Sequence, residues 1–413
     1  VTAPRLFADI RPVRESPAFR RLWIGSSLSS VGSRMTSFAT ALQIYELTHS
    51  SAAVGALALV LGVPTIVVGL LGGSFADAVD RRRLVLVTSS FLAVMSILFT
   101  AQAFLELRQV WLLYLLAGIQ ALLGAVNAPA RRTFLPRLLP AGQVPAGMAL
   151  DIFSFHASMT VGPLLAGVLI AFGGLQLCYL VDAVSFAAAL YGLARLPPMP
   201  PLGGAARPGL KAVAEGLRFV RRKPVLLGVL LADLNATVFG MPFALFPALN
   251  ELNFGGSAQT LGLLVAAPAV GGLLGSALSG PVGHVSRHGR AVLIAVAVWG
   301  AALVGFGFTH ALWLALALLA VAGAADSISV IFRSAIVQAV TPDRLRGRVT
   351  SVEFVVGAGA PELGNFRAGV VGSLASPAIS AAGGGIATVL GAGLLRLSIP
   401  SLARYDARQL DKR

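Results

Sequence analysis

Twelve stretches of about twenty almost wholly apolar residues follow one another along this chain, and each matches the length a helix needs to cross a bilayer. They run over residues 22–45, 51–73, 84–105, 110–129, 151–172, 176–195, 224–249, 258–281, 291–309, 311–333, 350–374 and 377–400. A hydrocarbon core holds no water to satisfy a stray N–H or C=O, so each stretch must close its own backbone hydrogen bonds as a helix. The chain is 56% hydrophobic and 12% charged, with a mean hydropathy of +0.82, which is more apolar surface than a soluble core of 413 residues can bury. The expected class is an all-α polytopic membrane protein.

The charges test that count. With an even number of spans both termini lie on one side, and the loops of that side, together with Arg195 and Arg396 at the span ends that border it, collect 28 of the 32 Lys and Arg residues. The opposite loops hold Arg108 alone, while Arg34, Arg333 and Arg367 fall inside spans. By the positive-inside rule the termini are expected in the cytoplasm. The net charge of +15 is spread over short loops and not gathered on one face, which argues against nucleic acid as a partner. The single cysteine, Cys178, excludes an internal disulfide and a thiolate metal cluster, and the histidines lack metal-ligand spacing. There is no phosphate-binding loop with its lysine and no His-Glu-x-x-His, so neither nucleotide hydrolysis nor metalloprotease chemistry is expected, nor a cofactor. Pro4 to Arg21 is polar and basic, so the first span is expected to act as its own insertion signal.

The longest connection, residues 197–223, starts Pro-Pro-Met-Pro-Pro and ends in a basic stretch that reads as an amphipathic helix on the membrane surface. It divides the chain into a six-span bundle over 1–196 and another over 224–413. The bundles repeat. Arg131, Pro140, Asp151, Gly162 and Gly167 recur 202 residues later as Arg333, Pro342, Glu353, Gly364 and Gly369.

Between spans two and three lies Gly73-Ser-Phe-Ala-Asp77-Ala-Val-Asp80-Arg81-Arg82-Arg83, too polar to cross a bilayer and fit only for a tight turn. Its counterpart in the second bundle is Gly280 to Arg290, with His284 at the aspartate position. Gly73, Asp77 and the arginines resemble the signature of the major facilitator superfamily, which has glycine where this chain has Asp80. The resemblance implies two pseudo-symmetric six-helix bundles that move a small molecule by alternating access. It also implies that the turn braces one conformation. Val161-Gly162-Pro163-Leu164-Leu165-Ala166-Gly167 resembles the superfamily's antiporter motif, which is associated with export.

Several ionisable groups lie at depths where lipid makes them costly, so they should face a cavity or one another. Arg34 is expected to line a central cavity or to form a fixed ion pair. Asp233 first, then Glu362, are the acids expected to take up and release a proton, since a carboxylate moving between wet and dry surroundings can do so. Either acid also fits a permanent packing contact. Asn235, Phe239, Asp326 and Arg367 are further cavity candidates; Asp326 and Arg333, seven residues apart, share one helix face. Gly73, Asp77, Arg81, Arg131, Asp151, Arg333 and Glu353 are expected to form a cytoplasmic gate. Asp182 is read as peripheral packing.

Phe19-Arg20-Arg21-Leu22-Trp23, Asp182-Ala-Val-Ser-Phe186, Thr341 to Val349 and Glu362-Leu-Gly-Asn-Phe366 narrow the resemblance to the branch of the superfamily that holds siderophore exporters and macrolide efflux proteins. The function this implies is a proton-coupled antiporter exporting a small amphiphile, with protons, the lipid bilayer and that molecule as partners and a monomer as the working unit. A broad-specificity drug pump, a nutrient importer and a non-transporting receptor are the alternatives.

Overall fold

The computed structural model describes residues 9–71, 80–200, 210–277 and 285–406, and among them every regular element is a helix. The longer ones are α1 (Pro17–Thr48), α2 (Ser51–Leu71), α3 (Arg81–Phe104), α4 (Val110–Arg132), α5 (Val144–Ala194), α6 (Leu210–Arg222) and α7 (Pro224–Gly240). They continue with α8 (Phe246–Phe254), α9 (Ala258–Ala277), α10 (His288–Phe308), α11 (Leu312–Val340), α12 (Asp343–Leu374) and α13 (Pro377–Ser398).

Nine stretches of the described residues are long and apolar enough to cross a bilayer. One, Ala141–Ala194, has 54 residues, which at about 1.5 Å each is more than twice a hydrocarbon core of roughly 30 Å. The chain breaks in its middle. Gly173 is non-helical and Gly174 sits at φ 68°, a region costly for any residue with a Cβ. That break falls in the gap between residues 172 and 176 read from the sequence, so α5 supplies two crossings. Helices α1 and α12, of 32 residues each, have the length to cross but carry Arg34, Gln43, Glu353, Glu362 and Arg367, which lower their hydropathy. Counted this way, the helices are consistent with twelve crossings.

One span departs from the expectation. The run 224–249 is not a single helix: α7 ends at Gly240, Met241 is extended, and a short 3₁₀ turn at Phe243–Leu245 leads into α8. Pro242 has no N–H to continue α7 and disfavours helical backbone at Met241, which is the physical reason for the break.

The chain forms two compact units, Val1–Gln43 with Val67–Arg207, and Ile44–Ile66 with Pro208–Arg413. In the first, α3 packs on α4 and α5. In the second, α10 packs on α11 and α13, α9 on α11, and α7 on α12 and α13. The repeated glycines do the same work in each unit. Gly162 of α5 lies against Val31 and Arg34 of α1, and Gly364 of α12 lies against the Thr237 carbonyl of α7, so tightly that any side chain at Gly364 would collide with backbone. Helix α6 rests on α12: Val220 is buried with Leu226 and Val349, and Glu215 pairs with Arg348 at 2.8 Å. Large apolar side chains left exposed, such as Phe172, Trp313 and Leu397, suit a surface solvated by lipid tails.

Gly73 and Asp77 of the motif turn, like Gly280 and His284 of its counterpart, lie outside the described residues. Asp80, where the superfamily has glycine, is described and has a function of its own. One carboxylate oxygen accepts the Arg83 N–H at 2.9 Å and caps α3; the other accepts the Met199 N–H at 2.9 Å, while the Arg81 N–H donates to the Met199 carbonyl at 3.1 Å. The start of the long connection is thereby fastened to α3, and Met199 is buried. Replacing Asp80 by Ala removes both bonds and is expected to cost about 1–2 kcal/mol. Asp80→Asn keeps the cap and should lose less, an order that thermal melting in detergent will read.

Candidate functional site

Four ionisable side chains converge in the second unit. Asp326 and Arg333 project from one face of α11, two helical turns apart, and Asp233 reaches them from α7. The Arg333 guanidinium pairs directly with Asp233, and one of its Nη atoms stands 3.9 Å from an Asp326 carboxylate oxygen. Glu353 of α12 interacts electrostatically with the same arginine. Arg333 is 13% and Asp233 22% exposed, so neither charge has full access to water and each depends on the other.

A cavity of about 300 Å³ opens on this cluster. Asp233, Arg333, Ser334 and Glu353 give it a polar wall, and Val229, Leu230, Val330 and Val352 an apolar one. A narrower cleft of about 140 Å³ shares Ser334, Val337, Val349 and Glu353 with it. An arginine shared among three carboxylates beside an amphipathic cavity can exchange partners: neutralising one acid, or presenting a competing anion, redistributes its bonds among the rest.

The duplicated positions of the first unit hold a smaller version. Arg131 and Asp151, 202 residues before Arg333 and Glu353, interact electrostatically. On the helix that carries Arg131 the position matching Asp326 is Gly124, so that acid belongs to the second unit alone.

The other sequence candidates fall elsewhere. Arg34 holds its guanidinium 5.5 Å from the centre of the Phe155 ring, with its stem against Gly162; the buried Gly162, Pro163 and Gly167 form the contact face of α5. Glu362, nine residues beyond Glu353 on α12, lies along Gly62 of α2. Arg367 is committed to the broken end of α7: its Nε donates to the Val238 carbonyl at 2.9 Å and its Nη2 to the Phe239 carbonyl at 2.6 Å. The Trp299 indole N–H takes the Gly240 carbonyl at 3.1 Å. The carbonyls released by the break are thus satisfied, and a cation sits at the negative end of the helix. Phe239 lies beside that guanidinium and is partly exposed, whereas Asn235 is buried and donates to the Thr388 carbonyl at 2.8 Å. Arg81 is placed at the capped start of α3.

Two sites escaped the sequence reading. Asp182 is not peripheral: it is fully buried in the first unit, and one carboxylate oxygen accepts hydroxyl hydrogens from Thr36 of α1 and Ser96 of α3, each at 2.6 Å. The small residue Gly32 facing it and the hydroxyls on neighbouring spans were the available signal. In the second unit the Tyr45 hydroxyl donates to Glu251 at 2.5 Å, with His49 Nδ1 3.9 Å from the same oxygen. No sequence pattern marks that pair. Among the described residues no cluster of His, Cys, Asp and Glu is arranged to hold a metal ion.

Comparison with known proteins follows the same lines. A family model described as transmembrane secretion effector matches residues 8–412. An enterobactin exporter of Citrobacter koseri is 26% identical over 393 residues, 95% of this chain and 94% of that protein. An enterobactin exporter of Escherichia coli is 25% identical over the same shares, 95% and 94%. Among solved structures, the nucleoside transporter NupG aligns with a TM-score of 0.69 at 14% identity, covering 94% of this chain and 100% of that one. A bacterial homologue of the iron transporter ferroportin in the inward-facing state gives 0.69 at 16% identity, covering 94% and 98%. At these identities the structural likeness concerns the fold alone.

If Arg333 is held chiefly by Asp233, removing either partner strands the other charge. Asp233→Asn and Arg333→Gln alone are each expected to destabilise the protein, by up to about 3 kcal/mol, and the double variant by less than the sum. A double-mutant cycle on detergent melting temperatures measures that coupling.

Proposed function

Because the chain belongs to the transmembrane secretion effector family of the major facilitator superfamily, we propose that this multi-pass membrane exporter is a proton-driven antiporter for a small amphiphile of the siderophore class. Its two six-helix halves, 1–196 and 224–413, alternate access across a bacterial cytoplasmic membrane, and both termini lie inside. The observation that carries this reading is the sharing of Arg333 among Asp233, Asp326 and Glu353 at the wall of a cavity.

In this mechanism a proton entering from outside neutralises Asp233, which lets Arg333 turn toward Asp326 and Glu353 and loosens the tie between α7 and α11. Substrate loaded from the cytoplasm donates a hydroxyl to the Asp233 carboxylate, which favours its ionised form, so the proton leaves inside as substrate binds. Binding of proton and binding of substrate therefore oppose each other at one carboxylate, which is the requirement for antiport. Glu362 is a second acid for the same duty, and Arg34 with Phe155 supplies an aromatic and cationic surface in the first half. Gly73, Asp77, Arg81, Arg131, Asp151 and Glu353 act as the cytoplasmic gate, and Gly162, Pro163 and Gly167 favour the export direction through the antiporter motif.

The siderophore assignment rests on the relatives named as enterobactin exporters, which match this chain over nearly its full length. Broad drug efflux is the second reading, favoured by the apolar wall of the cavity. Vesicles with an imposed pH gradient test the proposal with enterobactin as probe. Transport is expected to follow the gradient, and Asp233→Asn is expected to reduce gradient-driven flux at least ten-fold while leaving exchange without a gradient. Flux indifferent to the gradient would exclude proton coupling. Transport of a macrolide in place of enterobactin would favour the second reading.

A further inference from the structure

The narrower cleft holds a feature that ion coupling at Arg333 does not use. It lies where α11 turns into α12 and is lined by Ser334, Gln338, Thr341, Arg346, Thr350 and Glu353, with Val337 and Val349 as its apolar part. Thr341 is 4% exposed, and its hydroxyl has no hydrogen-bond partner among the described residues although its backbone N–H is bonded to Val337. A buried hydroxyl left in that state costs free energy that a ligand oxygen can recover. Arg346 and Glu353, seven residues apart on α12, share a face about 10 Å apart along the axis and give the cleft a positive and a negative end. Asp343 holds the Arg346 guanidinium from one side at 3.0 Å, and the side chain remains 58% exposed, so part of its donor fork is open to a phosphate.

Only the negative end of this cleft comes from the duplication, since Glu353 matches Asp151. The positions 202 residues earlier that match Gln338, Thr341, Arg346 and Thr350 are Pro136, Leu139, Val144 and Met148, none of which carries a polar side chain. The positive end and its hydroxyl are therefore particular to the second unit. Beside it, α6 packs on α12 with Val220 buried, while Arg218, Arg221, Arg222 and Lys223 are exposed, the arrangement of a helix lying in a membrane interface. A cleft at that level meets lipid head groups.

We propose that this cleft binds a phospholipid head group carrying both a phosphate and a primary ammonium, as in phosphatidylethanolamine. The phosphate sits between Arg346 and the Thr341 hydroxyl, which donates its unused hydrogen. The ammonium donates toward Glu353 and the Gln338 amide oxygen. Glu353 also lines the larger cavity and interacts with Arg333, so an occupied cleft draws Glu353 toward the lipid and leaves Arg333 more dependent on Asp233. Lipid in the inner leaflet thereby sets how tightly the Asp233–Arg333 pair is held. The binding claim stands without the export reading; only this last consequence rests on it.

Native mass spectrometry of the intact purified protein, offered phosphatidylethanolamine, phosphatidylcholine and phosphatidylglycerol of the same acyl chains, tests the site without any transport assay. Phosphatidylethanolamine is expected to be retained about ten-fold more strongly than either of the others, since the choline lacks N–H donors and the glycerol lacks the charge. Arg346→Gln and Thr341→Val are each expected to abolish the preference, and Arg344→Gln, a neighbouring exposed arginine outside the cleft, to preserve it. Thr341→Val removes only an unbonded hydroxyl, so its melting temperature without lipid should equal or exceed that of the wild type, which separates loss of binding from loss of fold. Equal retention of the three lipids, or a preference that survives both cleft variants, would overturn the proposal. So would soluble glycerophosphoethanolamine binding as strongly as the lipid, which would assign the cleft to a free zwitterion.

Discussion

A guanidinium buried between membrane helices must be answered by polar partners, and much of the second unit is arranged around how Arg333 finds its own. A charge taken out of water in this way costs several kcal/mol unless it is paired. Arg333 is answered by Asp233 from α7, by Asp326 from its own helix and by Glu353 from α12, so one side chain ties three helices together. Ties of this kind differ from apolar packing in one respect that matters for movement. Apolar contacts in lipid are exchanged for lipid contacts at little cost, whereas an ion pair has discrete partners and switches between them.

The duplication makes the asymmetry visible. Both units keep the arginine and the acid one helix later, Arg131 with Asp151 and Arg333 with Glu353, and both keep the glycine that brings the following helix close, Gly162 and Gly364. Asp326 belongs to the second unit alone, since the first has Gly124 in its place, and there Asp233 pairs with the arginine as well. The first unit instead buries a carboxylate, Asp182, among the hydroxyls of Thr36 and Ser96, an arrangement that fastens α1 and α3 to α5 without a cation among the described partners.

Much of this was legible in the residues. Length and hydropathy of the apolar runs mark the helices because lipid forbids any other backbone, and the 202-residue offset pairs Arg131 with Arg333 and Asp151 with Glu353 before any contact is known. The gap at residues 172–176 marks the turn that Gly174 makes. What periodicity does not carry is the rotation of one helix against its neighbour, which decides partners. Arg333 read as a gate residue and Asp233 as a proton site appear as separate features in the chain and as one ion pair in the fold. Arg367 looks like a cavity cation until the α7 break places the Val238 and Phe239 carbonyls in its reach. Pro242 was the signal for that break, and the apolar run on either side of it concealed the consequence.

Competition between proton and substrate for the Asp233 carboxylate is the claim on which the account turns, and proton release on binding tests it without membranes or flux. Enterobactin would be added to the purified protein in weakly buffered detergent solution with a pH indicator, over a series of starting pH values. The account predicts a net release of protons on binding that disappears in Asp233→Asn while affinity persists. Binding with no proton release, or a release unchanged in that variant, would contradict it.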